Sequence, residues 1–150
     1  MELRIVQAAP DHLIAWRTVH NEIIPTAPLS EDEVAERAGR HLLTVAYADD
    51  TLVGCATVRP PTDGPTTATV IVRVLAPFRR RGFGTAYLAH ALEVATGLGA
   101  ERIETVVLAE NAEGLRFARS HGFVEHDRYV LEGQSVPFVD LHLVAEGRPA

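Results

Sequence analysis

From Val72 to Thr85 the chain reads Val-Arg-Val-Leu-Ala-Pro-Phe-Arg-Arg-Arg-Gly-Phe-Gly-Thr. A β-branched run enters a basic turn with two glycines, and a segment with helical periodicity leaves it. That order of elements builds an anion cradle. The first amides of a helix have no backbone partner and sit at the positive end of its dipole. Gly82 and Gly84 let the backbone approach a phosphate closely and accept positive φ. Arg79, Arg80 and Arg81 add charge at the rim. The turn is neither of the two common phosphate loops. Tyr87 stands where a dinucleotide fingerprint needs its third glycine, and the chain has no lysine for a P-loop.

Few other residues offer chemistry. All fourteen basic side chains are arginine, so Schiff-base catalysis is excluded. Cys55 is the single cysteine and reads as a small apolar filler between Val53 and Ala56. The seven histidines form no i, i+4 pair and no carboxylate cluster with ligand spacing, so no metal is expected. Arg73 lies among valines and must face water, a carboxylate or a substrate, because burying it unpaired is too costly.

The elements that must position these residues follow from periodicity. Leu3–Gln7 reads as a strand. Leu13, Trp16, Val19 and Ile23 then recur at helical spacing until Pro25 ends the pattern. Ser30 and Glu33 have capping-box spacing, with Leu29 and Val34 placed as a hydrophobic staple and Gly39 as a stop. Strands at 42–47 and 51–58 form a hairpin around Asp49-Asp50. A proline-rich loop spans 59–66, and a strand at 67–75 leads into the loop 76–84. Leu88, Ala91, Leu92, Ala95 and Leu98 mark a helix over 85–98. Arg102–Leu108 is a strand. A helix follows from its cap Asn111 to His121, with Gly122 past its end. Strands at 123–131 and 136–144 close the chain, and in the last one Val139, Leu141 and Leu143 alternate with Phe138, Asp140 and His142. The expected architecture is one mixed α/β domain over residues 1–150, with a central strand-helix-strand unit and antiparallel flanks.

Composition sets the surroundings. Length and 47% hydrophobic residues are enough for one core. No apolar run nears the ~20 residues of a membrane span, and the first residues lack the pattern of a signal peptide. The expectation is a cytoplasmic protein. A net charge of -6 argues against nucleic acid as a partner and favours encounter with amine-bearing molecules. Arginine in place of every lysine points to a GC-rich, bacterial source.

Two segments resemble the GNAT acetyltransferases. Arg79-Arg80-Arg81-Gly82-Phe83-Gly84 is similar to their R/Q-x-x-G-x-G/A signature. The stretch from Asn111 to Gly122-Phe123, an asparagine-capped helix ending in Gly-Phe, is similar to their closing motif. The element order from Leu3 to Val144 extends the resemblance over nearly the whole chain. It implies the GNAT fold, a mixed and mostly antiparallel sheet of seven strands with four helices. It also implies acetyl-CoA as cosubstrate. Val72, Arg73 and Val74 would then pair with the pantetheine arm. The turn from Arg79 to Thr85, including Phe83, would bind the pyrophosphate, and Asn111 would contact CoA. The family often dimerises, so a homodimer is compatible with it.

The resemblance departs at the catalytic positions. The tyrosine that in many members protonates the leaving thiolate is replaced by Ala118, beside Phe117. The glutamate base that some members place five residues before the asparagine is replaced by Val106, and 66–75 contains no carboxylate. Glu104, on the same strand face as Val106, is the candidate base. Tyr129 and Tyr87 are the hydroxyls able to act as acid. His20 and Asn21 stand where the first helices wall an acceptor site. The resulting expectation is acetyl transfer to a primary amine of a small molecule or peptide by direct attack in a ternary complex. The alternative is a non-catalytic acyl-CoA-binding domain. A phosphate-binding module for another nucleotide would leave the pantetheine strand without a purpose.

Overall fold

The computed structural model describes residues 2–61, 66–133 and 135–143. The elements follow the expected order: β1 (Leu3–Gln7), α1 (Leu13–Ile23), α2 (Glu31–Arg40), β2 (Leu42–Ala48), β3 (Thr51–Arg59), β4 (Thr67–Val74), α3 (Phe83–Gly97), β5 (Arg102–Leu108), α4 (Ala112–Ser120), β6 (Phe123–Tyr129) and β7 (Phe138–Leu143). They form one seven-stranded sheet in the order β1-β2-β3-β4-β5-β7-β6. Only β4 and β5 run parallel, joined by the α3 crossover; every other neighbouring pair is antiparallel.

Helices cover both faces. On one side Trp16, Val19, Leu29 and Val34 of the α1/α2 layer pack on Val45 and Cys55. On the other, Leu88, Ala91 and Ala95 of α3 and Leu115 and Ala118 of α4 pack on Ala68, Val70, Val139 and Leu141. The alternation along β4 decides what reaches each side. Ala68 and Val70 face α3, whereas Arg73, in register with Cys55, faces α1. Trp16 is fully buried and its indole N–H donates to the carbonyl of Ala56 at 3.1 Å, which pins α1 to β3.

The local signals hold with a few shifts. Ser30 caps α2 and exchanges hydrogen bonds with Glu33 in both directions. Gly39 does not stop that helix. It lies within α2, and His41 ends the helix in extended geometry two residues later. In the loop expected over 76–84, Ala76–Phe78 make a 3₁₀ turn and α3 begins at Phe83. Leu98 falls beyond the last turn of α3 and is 44% exposed. Val144 and residues 62–65 of the proline-rich loop lie outside the described residues. No described helix is long and apolar enough to cross a membrane.

Candidate active site

The site begins with a gap in the sheet. β4 and β5 pair only from Thr67↔Arg102 to Thr69↔Glu104, after which β5 continues beside β7 alone. The Leu75 N–H bonds Val53, and the Arg73 carbonyl lies against Gly54. Backbone groups alternate along a strand, so those of Val72 and Val74 face the gap. The contact at Gly54 also explains its residue type, because a Cβ there would collide with the Arg73 carbonyl.

The turn after β4 supplies the cradle. Gly82 is left-handed, with φ 83°, and caps α3. The amides from Arg80 to Thr85 donate to no oxygen among the described residues, and the first α3 bond is Ala86 N–H to Gly82. These amides stand unpaired at the positive end of the helix dipole, an arrangement that suits an anion without any side chain. A cleft of about 380 Å³ runs from this turn along β4 to α4. It is lined by Val72, Arg73, Val74, Arg79, Arg80, Gly82, Gly84, Thr85 and Asn111 among the expected residues, and by Glu113, Gly114, Arg116 and Phe117 besides.

Two expected members of the cradle are elsewhere. The Phe83 side chain is buried against Ala46, Ala56 and Tyr87, so only its amide faces the turn. Arg81 is exposed, with its guanidinium 6.0 Å from the centre of the Phe78 ring. Arg79 lines the cleft but serves as a brace. Its Nε donates to the Val74 carbonyl at 2.8 Å, and its Nη1 donates to Glu113 at 2.8 Å. It therefore ties the end of β4 to the start of α4. Asn111 caps α4 by accepting from Gly114 N–H at 3.0 Å.

A second cavity of about 490 Å³ passes through the parted strands, lined by His20, Leu29 and Arg37 toward α1 and α2 and by Val70, Leu88, Ala118 and Phe123 toward α3 and α4. It shares Ile23, Val72, Arg73, Asn111, Gly114 and Phe117 with the first, so the two lobes meet where β4 and β5 part. His20, Arg37, Arg59, Val106, Leu108 and Tyr129 line it. Glu104 lines neither lobe: it sits where β4 and β5 are still hydrogen-bonded. Tyr129 does reach the second lobe, and its hydroxyl donates to Asp140 Oδ1 at 3.1 Å. Burial and the neighbouring Asp140 carboxylate raise the Tyr129 pKa. Tyr87 is buried in the core with its hydroxyl 2.6 Å from that of Thr44, and burial holds it as the neutral phenol. It is no acid for the site. Burial pushes Cys55 up to about 12, so it stays a thiol.

Asn21 does not face the cavity. Its amide donates to the Leu29 carbonyl and accepts from the Leu29 N–H, both at 2.9 Å. That pairing fixes its Oδ1 as an acceptor, so the His20 Nδ1, 2.9 Å away, carries the proton. Burial, and then the Arg73 charge, lower His20 from 6.5 to about 4. It is neutral near pH 7, with Nε2 unprotonated.

Between about pH 6.5 and 4 the unfolded chain binds a proton at His20 that the fold refuses. Stability from neutral His20 is therefore present at pH 7 and lost as pH falls through that window. Water at the cavity edge trims the effect to about 2 kcal/mol. Urea midpoints of the native and His20→Gln proteins are expected to converge on acidification from pH 7 to 4.5. Parallel midpoints would contradict it.

Sequence reasoning missed Arg37, Arg59 and Asp140, which belong to segments with no motif, and Arg116, which lies inside the Asn111–Phe123 stretch but at no position the resemblance singles out. Parity along the strands was the one available signal for Asp140.

The fold has many solved relatives. The Escherichia coli ribosomal-protein-S18-alanine N-acetyltransferase is 22% identical, with a TM-score of 0.74 over 99% of this chain and 100% of that one. NAA60 of Arabidopsis thaliana, solved with a bisubstrate analogue, is 16% identical with a TM-score of 0.76, covering 98% and 100%. The Salmonella typhimurium yncA protein, solved with its cofactor acetyl-CoA, is 16% identical with a TM-score of 0.75, covering 100% and 98%. No curated protein sequence matches the chain significantly. The Acetyltransferase (GNAT) family model matches residues 8–123, which take in the whole span from α1 to the Gly-Phe at the start of β6. With the split sheet and the amide cradle inside that span, the chain belongs to the acetyltransferase (GNAT) family.

Proposed function

We propose that this protein transfers an acetyl group from acetyl-CoA to a primary amine by direct attack in a ternary complex. The observation that carries this reading is the junction of two lobes at the parted strands. One lobe ends in the amide cradle, and the other passes through the gap to His20 and Arg37 beneath α1 and α2. A thioester held along Val72 and Val74 would present its carbonyl at that junction. The amine nitrogen attacks the carbonyl carbon, the C–N bond forms, the C–S bond breaks, and CoA leaves as thiolate. The Arg80 to Thr85 amides hold the pyrophosphate, and Asn111, lining both lobes, contacts the arm. Holding both reactants in line supplies much of the rate. The thiolate is a good leaving group, so Ala118 at the usual acid position does not prevent turnover.

The proton lost by the amine is assigned to the Tyr129–Asp140 pair rather than to Glu104: Asp140, like Glu104, lines neither lobe itself, but Tyr129 lines the second lobe and its hydroxyl is bonded to Asp140. Asp140 pairs in register with Val106, on the same strand face and beside the position where some relatives keep a glutamate. It is held by Tyr129, whose hydroxyl can pass a proton along. Asp140→Asn is expected to lower kcat about 100-fold while the acetyl-CoA-induced rise in Tm stays unchanged. Glu104→Gln is expected to leave both intact. The reverse pattern would restore Glu104 as the base.

The test of the function is free-thiol release with a panel of primary amines at saturating acetyl-CoA. Release that depends on an amine supports transfer. Acetyl-CoA binding with no release from any amine would establish the non-catalytic alternative, which the absence of an acid at Ala118 favours.

A further inference from the structure

The second lobe carries a charge pattern that the transfer reaction does not require. Arg37 of α2, Arg59 at the end of β3 and Arg73 of β4 all line it. Arg73 and Arg59 share a face of the sheet, because Cys55 is in register with Arg73 and lies four residues before Arg59 on β3. Arg37 projects onto that face from α2. None of the three forms an ion pair among the described residues; the six ion pairs involve other arginines. The Arg59 Nε is buried without a partner among them. Glu33 is the one carboxylate lining the lobe, and it accepts from the Ser30 N–H in the α2 capping box.

Guanidinium groups gathered in a cavity repel one another and cost desolvation. Their effects reach their neighbours. Burial, then the Arg73 and Arg37 charges, lower His20; burial, then Arg59, Arg40 and Arg37, lower His41. Such a cluster is compensated by an oxyanion, which arginine recognises in two-pronged geometry. The overall charge of -6 points the other way, but it is spread over the surface and acts on encounter, whereas the lobe acts on contact.

We infer that the acceptor is an amine that also carries an oxyanion, a carboxylate or a phosphonate, seated on Arg37, Arg59 and Arg73 with its amino group turned to the strand junction. This rests on the reading that the second lobe is the acceptor site of an acetyl transfer. It disfavours polyamines and other acceptors with positive charge alone. It fits amino-acid-like molecules, whose amine and oxyanion lie a few bonds apart.

The experiment uses product mimics, so no acceptor need be known beforehand. CoA-saturated protein is melted with N-acetylamino acids, with their uncharged amides, and with N-acetylaminoalkylphosphonates. The oxyanion-bearing compounds are expected to raise Tm, and the amides are expected not to. Arg37→Gln and Arg59→Gln are each expected to weaken binding about tenfold or more while keeping the Tm rise caused by acetyl-CoA, which shows the variants are folded. A response to carboxylates alone or phosphonates alone identifies which oxyanion is taken. Amides that bind as well as acids, or acids that fail to bind to protein that binds CoA, would overturn the inference and leave the transfer reading standing. If acetyl-CoA itself gives no Tm rise in the native protein, the transfer reading fails first and the inference with it.

Discussion

Gly82→Asp is expected to weaken acetyl-CoA binding by 100-fold or more, read as loss of the ligand-induced rise in Tm. Gly82 has φ 83° and open space around its Cα, so no clash forbids a side chain. The conformation does: a left-handed non-glycine residue costs about 1–2 kcal/mol. The new carboxylate would stand among the free amides of Arg80 to Thr85, where it would occupy them and repel a pyrophosphate. The strain is common to the free and bound protein and lowers stability, whereas the occupied amides and the added negative charge act on binding, where 100-fold corresponds to ~2.7 kcal/mol. The strain falls at the end of a helix rather than in the core, so the unliganded protein is expected to keep most of its stability. A Tm rise as large as that of the native protein would show that the phosphate does not use this turn.

The largest effect on the fold is expected from Trp16→Ala. The indole is fully buried between α1 and β3, stacks on His20 with ring centres 5.3 Å apart, and satisfies the Ala56 carbonyl. Its removal leaves a large cavity and an orphaned acceptor in the middle of the sheet. The cost is about 3–5 kcal/mol, equivalent to a fall in Tm of roughly 10–15 °C at this chain length. Because Trp16 also supports His20, any acceptor affinity that survives should fall with it. A Tm loss below about 3 °C would mean that α1 is not held as described.

The two predictions draw on parts of the molecule that were unequally legible in the sequence. The turn at Gly82 was open to reading because its information is local: strand, glycines, helix start and the absence of lysine lie within a few residues. The Ser30 capping box, the hairpin at Asp49-Asp50 and the alternation of β7 are local in the same way. The side chains of the turn were less readable. Arg79, Arg80 and Arg81 look alike in sequence, yet Arg79 braces Val74 against Glu113 while Arg81 stands exposed. Only the path of the turn distinguishes them.

The second lobe depends on long-range order and was mostly hidden. Arg37, Arg59 and Arg73 come from three elements, and nothing in their spacing links them. Asp140 stands beside Val106, and behind Tyr129, because β7 inserts between β5 and β6. Chain order alone would place β6 beside β5 and put a different strand next to Val106. Glu104 shows the limit of parity. It shares a face with Val106, but it lies where β4 and β5 are still paired, and the site opens only after they part. A period of two locates the face of a strand; it says nothing about where along that strand a neighbour departs.

The most direct measurement is calorimetric titration of the native protein with acetyl-CoA and, separately, with adenosine 3′,5′-bisphosphate. If Val72 and Val74 hold the pantetheine arm along the gap, acetyl-CoA should bind at least tenfold more tightly than the bisphosphate, since two backbone hydrogen bonds and the buried arm contribute about 1–3 kcal/mol. Equal affinity would reduce the cleft to a phosphate site, and no binding of either would remove the donor site altogether.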